Sequence, residues 1–154
     1  MVLPNYEGVE SFAHQLAFSE SEKDRIKSAI PRINSVIERH PSVGIVFSHV
    51  FAVDLGEGLV VCFKKSRSAS VDTIERDILQ REQTLLVKGV SNFAPSIRIG
   101  NYIVQRWIKN SISHETLTQF LEFLKTKGIG LANSGDNVRV TETGDSVIID
   151  VINT

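Results

Sequence analysis

Two oxygen-bearing side chains near the end of the chain could hold a hard cation. Asn137 closes a polar loop at residues 130–137, and Asp150 follows the apolar run 147–149 at the end of a strand-turn-strand pattern. Amide and carboxylate oxygens are ligands that Mg²⁺ takes in proteins. Two such side chains, if they converge on one point, suit a hard cation of this kind. The alternative is that the loop ends in an ordinary turn, because Gly, Asp and Asn favour turns in any protein.

A lysine and a glutamate farther towards the N-terminus could form a second functional pair. Lys64 ends a short apolar strand pattern and shares a strand face with Cys62. Glu82 follows Ile74 and Ile78 at helical spacing, so it lies beside an apolar stripe and needs a partner there. The spacing predicts that Lys64 and Glu82 approach within ion-pair reach. The alternative is that both side chains reach solvent.

The N-terminal part of the chain has a helical pattern over residues 8–40. Ser19 and Glu22 have the spacing of a capping box, in which each side chain accepts from the other residue's backbone N–H. Apolar residues then recur at helical intervals. Pro31 is expected to kink or restart the helix, because proline removes one backbone donor and clashes with the preceding turn.

After residue 42 the pattern changes to short strands separated by turns. The strand patterns cover 43–51, 59–63, 96–99, 102–108, 137–140 and 146–150. The coarse element order is α, β-β-β, α, β-β, α, loop, β-β. This order predicts an α+β fold, an antiparallel sheet with flanking helices, preceded by the helical segment. We expect residues 1–154 to form a single domain.

Two further helices carry recognisable start and stop signals. Asp72 and Glu75 predict a capping box at the start of the middle helix. Gly89 is expected to end this helix. Ser113 and Gly128 bound the last helix in the same way. The predicted inward stripe of the middle helix consists of Ile74, Ile78, Leu79, Leu85 and Leu86.

Composition excludes several classes of function. The 154 residues carry a net charge of −1, so no basic excess indicates nucleic acid or an anionic membrane as a partner. One cysteine cannot form an internal disulfide or a Cys-rich zinc site. No run is apolar enough to span a membrane, and the N-terminus has no signal-peptide pattern. We expect a cytoplasmic protein. The alternative is a substrate of a secretion system that reads no visible signal.

Residues 42–150 resemble part of the protein-kinase-like fold, namely its small lobe and the first part of its large lobe. Residues 8–40 would then be an N-terminal helical extension of this kinase-like core. The resemblance implies that Lys64 binds nucleotide phosphates and pairs with Glu82, with Lys65 as the alternative lysine. It also implies that Asn137 and Asp150 hold Mg²⁺, and that residues 102–108 lead to the hinge that binds adenine.

Departures from the family pattern indicate a truncated, degenerate member. Val43, Ile45 and Ser48 stand where the family has phosphate-covering glycines, and Ala132 stands where it has the catalytic Asp. Alanine cannot accept a proton from a substrate hydroxyl. We expect no activation segment after Asp150. A large lobe cut short in this way would leave apolar surface exposed, which we place at Phe120, Leu121 and Phe123.

The sequence therefore predicts a catalytically impaired kinase-like binding or regulatory module with no catalytic residues of its own. Its cofactors would be ATP and Mg²⁺, bound weakly, and its partner another protein or a second copy. Two alternatives stand beside this hypothesis. One is an α+β interaction domain unrelated to kinases, and the other is a minimal phosphotransferase in which Asn133 or Asp136 replaces the missing base.

Overall fold

The computed structural model describes residues 12–37, 47–66 and 70–154. The chain divides into two compact units. We call the first the sheet unit, which takes in the described parts of 17–77 and 96–107. The second is the hairpin unit, which takes in the described parts of 1–16, 78–95 and 108–154. Each unit is described by itself below.

The elements of the described residues are five α-helices, seven strands and one 3₁₀ turn. The helices are Phe12–Gln15 (α1), Glu20–Ile37 (α2), Val71–Val87 (α3), His114–Thr126 (α4) and Ser134–Asn137 (α5). The strands are Phe47–Asp54 (β1), Val60–Ser66 (β2), Ile97–Ile99 (β3), Tyr102–Arg106 (β4), Asn110–Ser111 (β5), Val138–Val140 (β6) and Ser146–Ile148 (β7). The 3₁₀ turn is Val151–Asn153.

The sheet unit contains a four-stranded antiparallel sheet in the order β1-β2-β4-β3. β2 is central, with Cys62 opposite Ala52 on one side and Gln105 on the other. Since side chains alternate between the faces of a strand, Val61 and Phe63 point away from Cys62 and Lys64. Val61 and Phe63 join the hydrophobic core that the sheet forms with α2. This core comprises Phe18, Ile26, Ala29, Ile33, Leu59, Val61, Phe63, Ile99, Tyr102 and Val104.

The predicted capping box at the start of α2 is confirmed. The Ser19 backbone N–H donates to Glu22 Oε1 at 2.9 Å, and the Glu22 N–H donates to Ser19 Oγ at 3.2 Å. Arg106, at the end of β4, donates from Nη2 to both Glu22 oxygens at 3.0 and 3.1 Å, and its guanidinium lies over the Phe18 ring. Glu22 therefore joins the first turn of α2 to the sheet. The helix continues through Pro31 to Ile37 without restarting.

These contacts make the stability of the sheet unit depend on the charge of Glu22. The Ser19 backbone N–H lowers the pKa of Glu22 most, burial opposes it, and the Arg106 guanidinium lowers it further. A lowered carboxyl pKa means that the stabilisation is complete above the ordinary value of 4.5 and is lost as the pH falls through the folded-state pKa.

Glu22→Gln is expected to lower the free energy of unfolding by about 1 kcal/mol near neutral pH, because the amide keeps an acceptor but loses the charge that Arg106 binds. Below the Glu22 pKa the difference between variant and parent should shrink towards zero. Urea denaturation from pH 7 to pH 3 measures it. Glu20→Gln, which changes an exposed residue of the same turn, is the control. A Glu22→Gln deficit that stays constant over this range would contradict the linkage.

The turn between β1 and β2 requires unusual backbone conformations. Gly56, Glu57 and Gly58 all have positive φ angles, at 85°, 52° and 78°. Glycine adopts this region without a steric penalty, whereas Glu57 is a rare non-glycine case. Arg25 of α2 donates to the carbonyl oxygens of Leu55 and Gly56 at 3.0 and 2.7 Å. The turn that joins β1 to β2, the strand that carries Lys64, is thereby bound to α2.

Helix α3 begins differently from its prediction. Ser70 is the cap, since its Oγ accepts from the Thr73 N–H at 3.2 Å. Asp72 instead forms an ion pair with Arg98. The predicted capping box of Asp72 and Glu75 is therefore wrong. Serine two residues earlier satisfies the same orphan backbone donors.

The apolar stripe of α3 is narrower than predicted. Ile74, Ile78 and Leu85 are buried, but Leu79 and Leu86 are exposed. Glu82 completes the buried stripe at 8% exposed. A single residue of rotation about the helix axis, about 100°, moves a side chain from the core to solvent. Apolar type alone does not fix which of two adjacent leucines faces inward.

The hairpin unit contains the three-stranded antiparallel sheet β5-β6-β7, against which α4 and α5 pack. Residues 92–94 run beside β7, with the Ile148 N–H donating to the Asn92 carbonyl and the Ala94 N–H to the Ile148 carbonyl. Helix α4 begins at its predicted cap, where Ser113 Oγ accepts from the Thr116 N–H at 3.2 Å. Its stop at Gly128, with φ of 74°, is also as predicted.

The predicted fold class is confirmed: the protein is α+β, with antiparallel sheets and flanking helices. Two strands precede α3 in the described residues, where three were predicted. Residues 8–11, 38–46 and the predicted glycine-loop positions Val43 and Ile45 lie outside the described residues, as does the side chain of Ser48. Among the helices of the described ranges, none has the length and apolar character that crossing a membrane requires.

The predicted exposed surface on α4 is wrong. Phe120 is fully buried and stacks with Phe123, while Phe123 and Leu121 are half-buried. Within the described ranges, the large apolar side chains that are exposed lie on β1 and α3: Val50, Leu79, Leu86 and Val87.

Candidate functional site

The loop before β6 holds the Asn137 side chain in one orientation. Asn133 adopts the left-handed region, with φ of 49°, and the chain then makes the single turn of α5. Asn137 is 7% exposed, and its Nδ2 donates to the carbonyl oxygens of Ala132 and Asn133, both at 3.0 Å. Because both amide protons are used by the loop itself, the amide oxygen Oδ1 is the atom that Asn137 can offer to a ligand.

Asp150 lies next to Asn137 through the pairing of β6 with β7. The Ile149 N–H donates to the Asn137 carbonyl oxygen at 2.9 Å, which extends the ladder by one residue beyond Val138 and Ile148. Asp150 then caps the 3₁₀ turn, where its Oδ1 accepts from the Ile152 N–H at 3.1 Å. The structure therefore brings the backbone of Asn137 beside the residue that precedes Asp150.

The donor atoms at this position fit a hard divalent cation. Asn137 offers an amide oxygen, and Asp150 keeps its second carboxylate oxygen after capping. Mg²⁺ is commonly bound by one or two such side chains, with water and substrate phosphate completing the octahedron. Across residues 12–37, 47–66 and 70–154, no three His, Cys, Asp or Glu side chains form a metal-binding group. A metal at Asn137 and Asp150 would therefore need further ligands, such as water, backbone carbonyl oxygens or a bound phosphate.

Lys64 is buried within β2 rather than placed at a solvent-exposed strand end. It is 8% exposed and is opposite Val50 on one side and Ile103 on the other. Cys62 is buried on the same face of β2. The alternative, in which Lys64 is a solvated lysine at a strand end, is therefore wrong. A lysine is rarely buried unless its charge is paired.

Glu82, which belongs to the hairpin unit, is equally buried. The alternative of a glutamate reaching water is therefore also wrong. Lys64 and Glu82 each make interactions within the protein. Since they belong to different units, their mutual pairing stays a prediction.

Ala132, at the position where the sequence predicts that a catalytic base is missing, is exposed. The Ala132 backbone N–H donates to the Asn153 carbonyl at 3.0 Å, and its carbonyl accepts from Asn137. The methyl side chain has no group that takes a proton. Asp136 is exposed on α5, and Asn133 lies beside Ala132 in the loop. Neither occupies the position of the missing base.

Sequence reasoning missed the backbone framework of this site. Two carbonyl oxygens orient Asn137, and the 3₁₀ turn after Asp150 ties back to Ala132 through Asn153. One signal was available in the sequence. Aspartate is a preferred cap residue, so a turn beginning directly after Asp150 could have been predicted.

Comparison of the chain with models of protein families gave no match, and comparison with curated proteins gave none either.

Proposed function

We propose that the protein is a catalytically impaired kinase-like module that acts by binding rather than by phosphoryl transfer. The observation that carries this proposal is the orientation of Asn137. Its amide protons are taken by the carbonyls of Ala132 and Asn133, so its oxygen is the group free to meet a cation beside Asp150.

The ligand in this proposal is a nucleoside triphosphate with Mg²⁺. The metal would supply positive charge to bridge and neutralise phosphate oxygens, with Asn137 and Asp150 as its protein ligands. The resemblance also assigns Lys64, which is buried on the same strand face as Cys62, to the phosphates of this ligand. Binding is expected to be weak, because Val43, Ile45 and Ser48 replace glycines whose backbone would otherwise close on phosphate.

The absence of turnover in this proposal follows from Ala132. Phosphoryl transfer depends mostly on positioning and electrostatics, but a residue must still orient or deprotonate the attacking hydroxyl. The exposed methyl group of Ala132 can do neither. Nucleotide occupancy would then set the conformation in which the module meets another protein.

Asp150→Asn provides the sharpest test of the metal site. Asparagine keeps the acceptor for the Ile152 N–H and so keeps the cap of the 3₁₀ turn, but it removes the charge that Mg²⁺ requires. We expect ATP with Mg²⁺ to raise the melting temperature of the parent by a small, concentration-dependent amount. ATP without metal should give less, and Asp150→Asn should abolish the metal-dependent part. Differential scanning fluorimetry with a titration of ATP and Mg²⁺ measures this, since a ligand stabilises the native state by mass action.

Asp136→Asn is the matched control, because it removes a carboxylate from the same loop at an exposed position. It should bind nucleotide as the parent does. Nucleotide binding that survives Asp150→Asn would overturn the metal-site hypothesis. No stabilisation at millimolar ATP and Mg²⁺ would favour an interaction domain unrelated to kinases. Transfer of γ-phosphate that Asp150→Asn abolishes would favour the minimal phosphotransferase.

A further inference from the structure

The 3₁₀ turn Val151–Asn153 is closed at both ends by hydrogen bonds, and its cap is the candidate metal ligand Asp150. Asp150 Oδ1 accepts from the Ile152 N–H at 3.1 Å. At the other end, the Thr154 N–H and hydroxyl both donate to the Val151 carbonyl oxygen, at 3.1 and 2.6 Å. Because one Asp150 oxygen is bound within this turn, the direction of its second oxygen depends on how the turn is oriented in the hairpin unit.

Two hydrogen bonds and one buried side chain tie this turn to the rest of the hairpin unit. The Asn153 carbonyl accepts from the Ala132 N–H at 3.0 Å, and the main-chain oxygen of Thr154 accepts from Arg81 Nη1 of α3 at 2.6 Å. The Val151 side chain is buried. Apolar packing is non-directional, so the orientation of the turn depends on the two hydrogen bonds. A single one would leave the turn able to pivot.

The contact of Arg81 with Thr154 is suited to holding this framework. A hydrogen bond from a guanidinium is charge-assisted and stronger than one between neutral groups. Arg81 and Thr154 are 73 positions apart, so the contact joins α3 to a segment far along the chain. The other anchor, Ala132, also accepts from Asn137 Nδ2 at 3.0 Å. The same set of hydrogen bonds therefore reaches both Asn137 and Asp150.

We propose that Arg81 is a positioning residue of the metal site formed by Asn137 and Asp150. It holds Thr154, and with it the 3₁₀ turn, in the orientation that presents the Asp150 carboxylate to a cation. The proposal rests on the proposed function, because it concerns the same site. It adds to that function a role for α3 in metal binding, through a residue that acts on the main chain and not as a ligand.

Titration of the full chain with Mn²⁺, followed by electron paramagnetic resonance of the free ion, tests this proposal without nucleotide. Mn²⁺ takes the same oxygen ligands as Mg²⁺. Arg81→Met should weaken Mn²⁺ binding about tenfold, as the loss of a supporting contact around metal ligands typically does. Removal of a positive charge would by itself strengthen the binding of a cation, so electrostatics alone predicts the opposite sign.

Two further measurements separate positioning from a general loss of stability. Arg81→Lys keeps a cationic donor and should recover part of the Mn²⁺ affinity that Arg81→Met loses. Hydrogen exchange of the Ala132 amide, measured without metal, should be faster in Arg81→Met than in the parent. The reason is that the acceptor of this amide, Asn153, belongs to the turn that Arg81 holds.

Lys88→Met is the matched control. Lys88 lies seven residues after Arg81, and its Nζ also donates to a main-chain carbonyl, that of Gly128, at 3.2 Å. This variant should bind Mn²⁺ as the parent does. Asp150→Asn should abolish Mn²⁺ binding, which identifies the site that the ion occupies.

Unchanged Mn²⁺ affinity in Arg81→Met would overturn the proposal and leave the metal site standing, even if the variant were less stable in urea. An equal loss in Lys88→Met would contradict it too, since the effect would then be unspecific. A parent that binds no Mn²⁺ would refute this proposal alone, because the melting shift with ATP and Mg²⁺ tests the proposed function separately. Mn²⁺ binding that Asp150→Asn retains would refute both, since the ion would then occupy another site.

Discussion

Replacing Glu82 with glutamine is expected to lower the free energy of unfolding by about 3–5 kcal/mol, because the sequence predicts that Glu82 pairs with Lys64 and the substitution would leave that buried lysine without its counter-charge. Both residues are 8% exposed. Lys64→Met should cost a similar amount. Urea denaturation of each single variant and of the double variant gives the coupling between them.

The double-mutant cycle decides between two lysines as well as testing the pair. Lys64→Met with Glu82→Gln should cost much less than the sum of the single changes, since neither charge is then left alone in the interior. Lys65→Met, at the next residue of β2, is the control and should combine additively with Glu82→Gln. Coupling to Lys65 instead would place the functional lysine one position later. Additive behaviour of both lysines would show that Glu82 has another partner.

Phe63→Ala is expected to lower the free energy of unfolding by about 3–5 kcal/mol through the cavity it leaves. Phe63 is fully buried at the centre of the sheet-unit core. Its ring is 6.0 Å from the Phe51 ring in a stacked arrangement and 5.7 Å from the Tyr102 ring in an edge-on one.

Phe51→Ala is the comparison for Phe63→Ala. Phe51 contacts the same ring but is only half-buried, so its loss should cost clearly less. Both losses of stability are measured from the midpoints of urea denaturation curves, provided that the dependence of the unfolding free energy on urea concentration is the same in each variant. Equal costs for the two substitutions would contradict the assignment of Phe63 as the centre of this core.

Local signals predicted local structure well. The capping box of Ser19 and Glu22, the cap at Ser113 and the stop at Gly128 all occur where the spacing placed them. These features depend on residues three or four positions apart, whose hydrogen bonds form within one turn of chain. The same reasoning failed at the start of α3, where Ser70 and Asp72 are both suitable cap residues. Ser70 caps the helix, whereas Asp72 forms an ion pair with Arg98.

Burial was harder to predict than the elements themselves. Leu79 and Leu86 of α3 are exposed although their type suggested the core, and Phe120 of α4 is buried although a surface was expected there. Glu82 was placed correctly, because its register with Ile74 and Ile78 counts more than its polarity. Whether an apolar side chain at the edge of a stripe faces inward depends on what packs against the helix, which the helix sequence does not contain.

Some features of the candidate site likewise follow from the sequence, and others depend on the tertiary structure. The sequence by itself determined the residue types and the hairpin that brings Asn137 towards Asp150, since strand pairing and a short turn set that register. Only the tertiary structure decided which atom of Asn137 is offered to a ligand, because the carbonyls of Ala132 and Asn133 take its amide protons after the loop has closed. It also decided that Arg106 binds Glu22 across 84 residues of chain. A contact between residues so far apart leaves no periodic trace in sequence, because it forms only when packed elements bring the two side chains together.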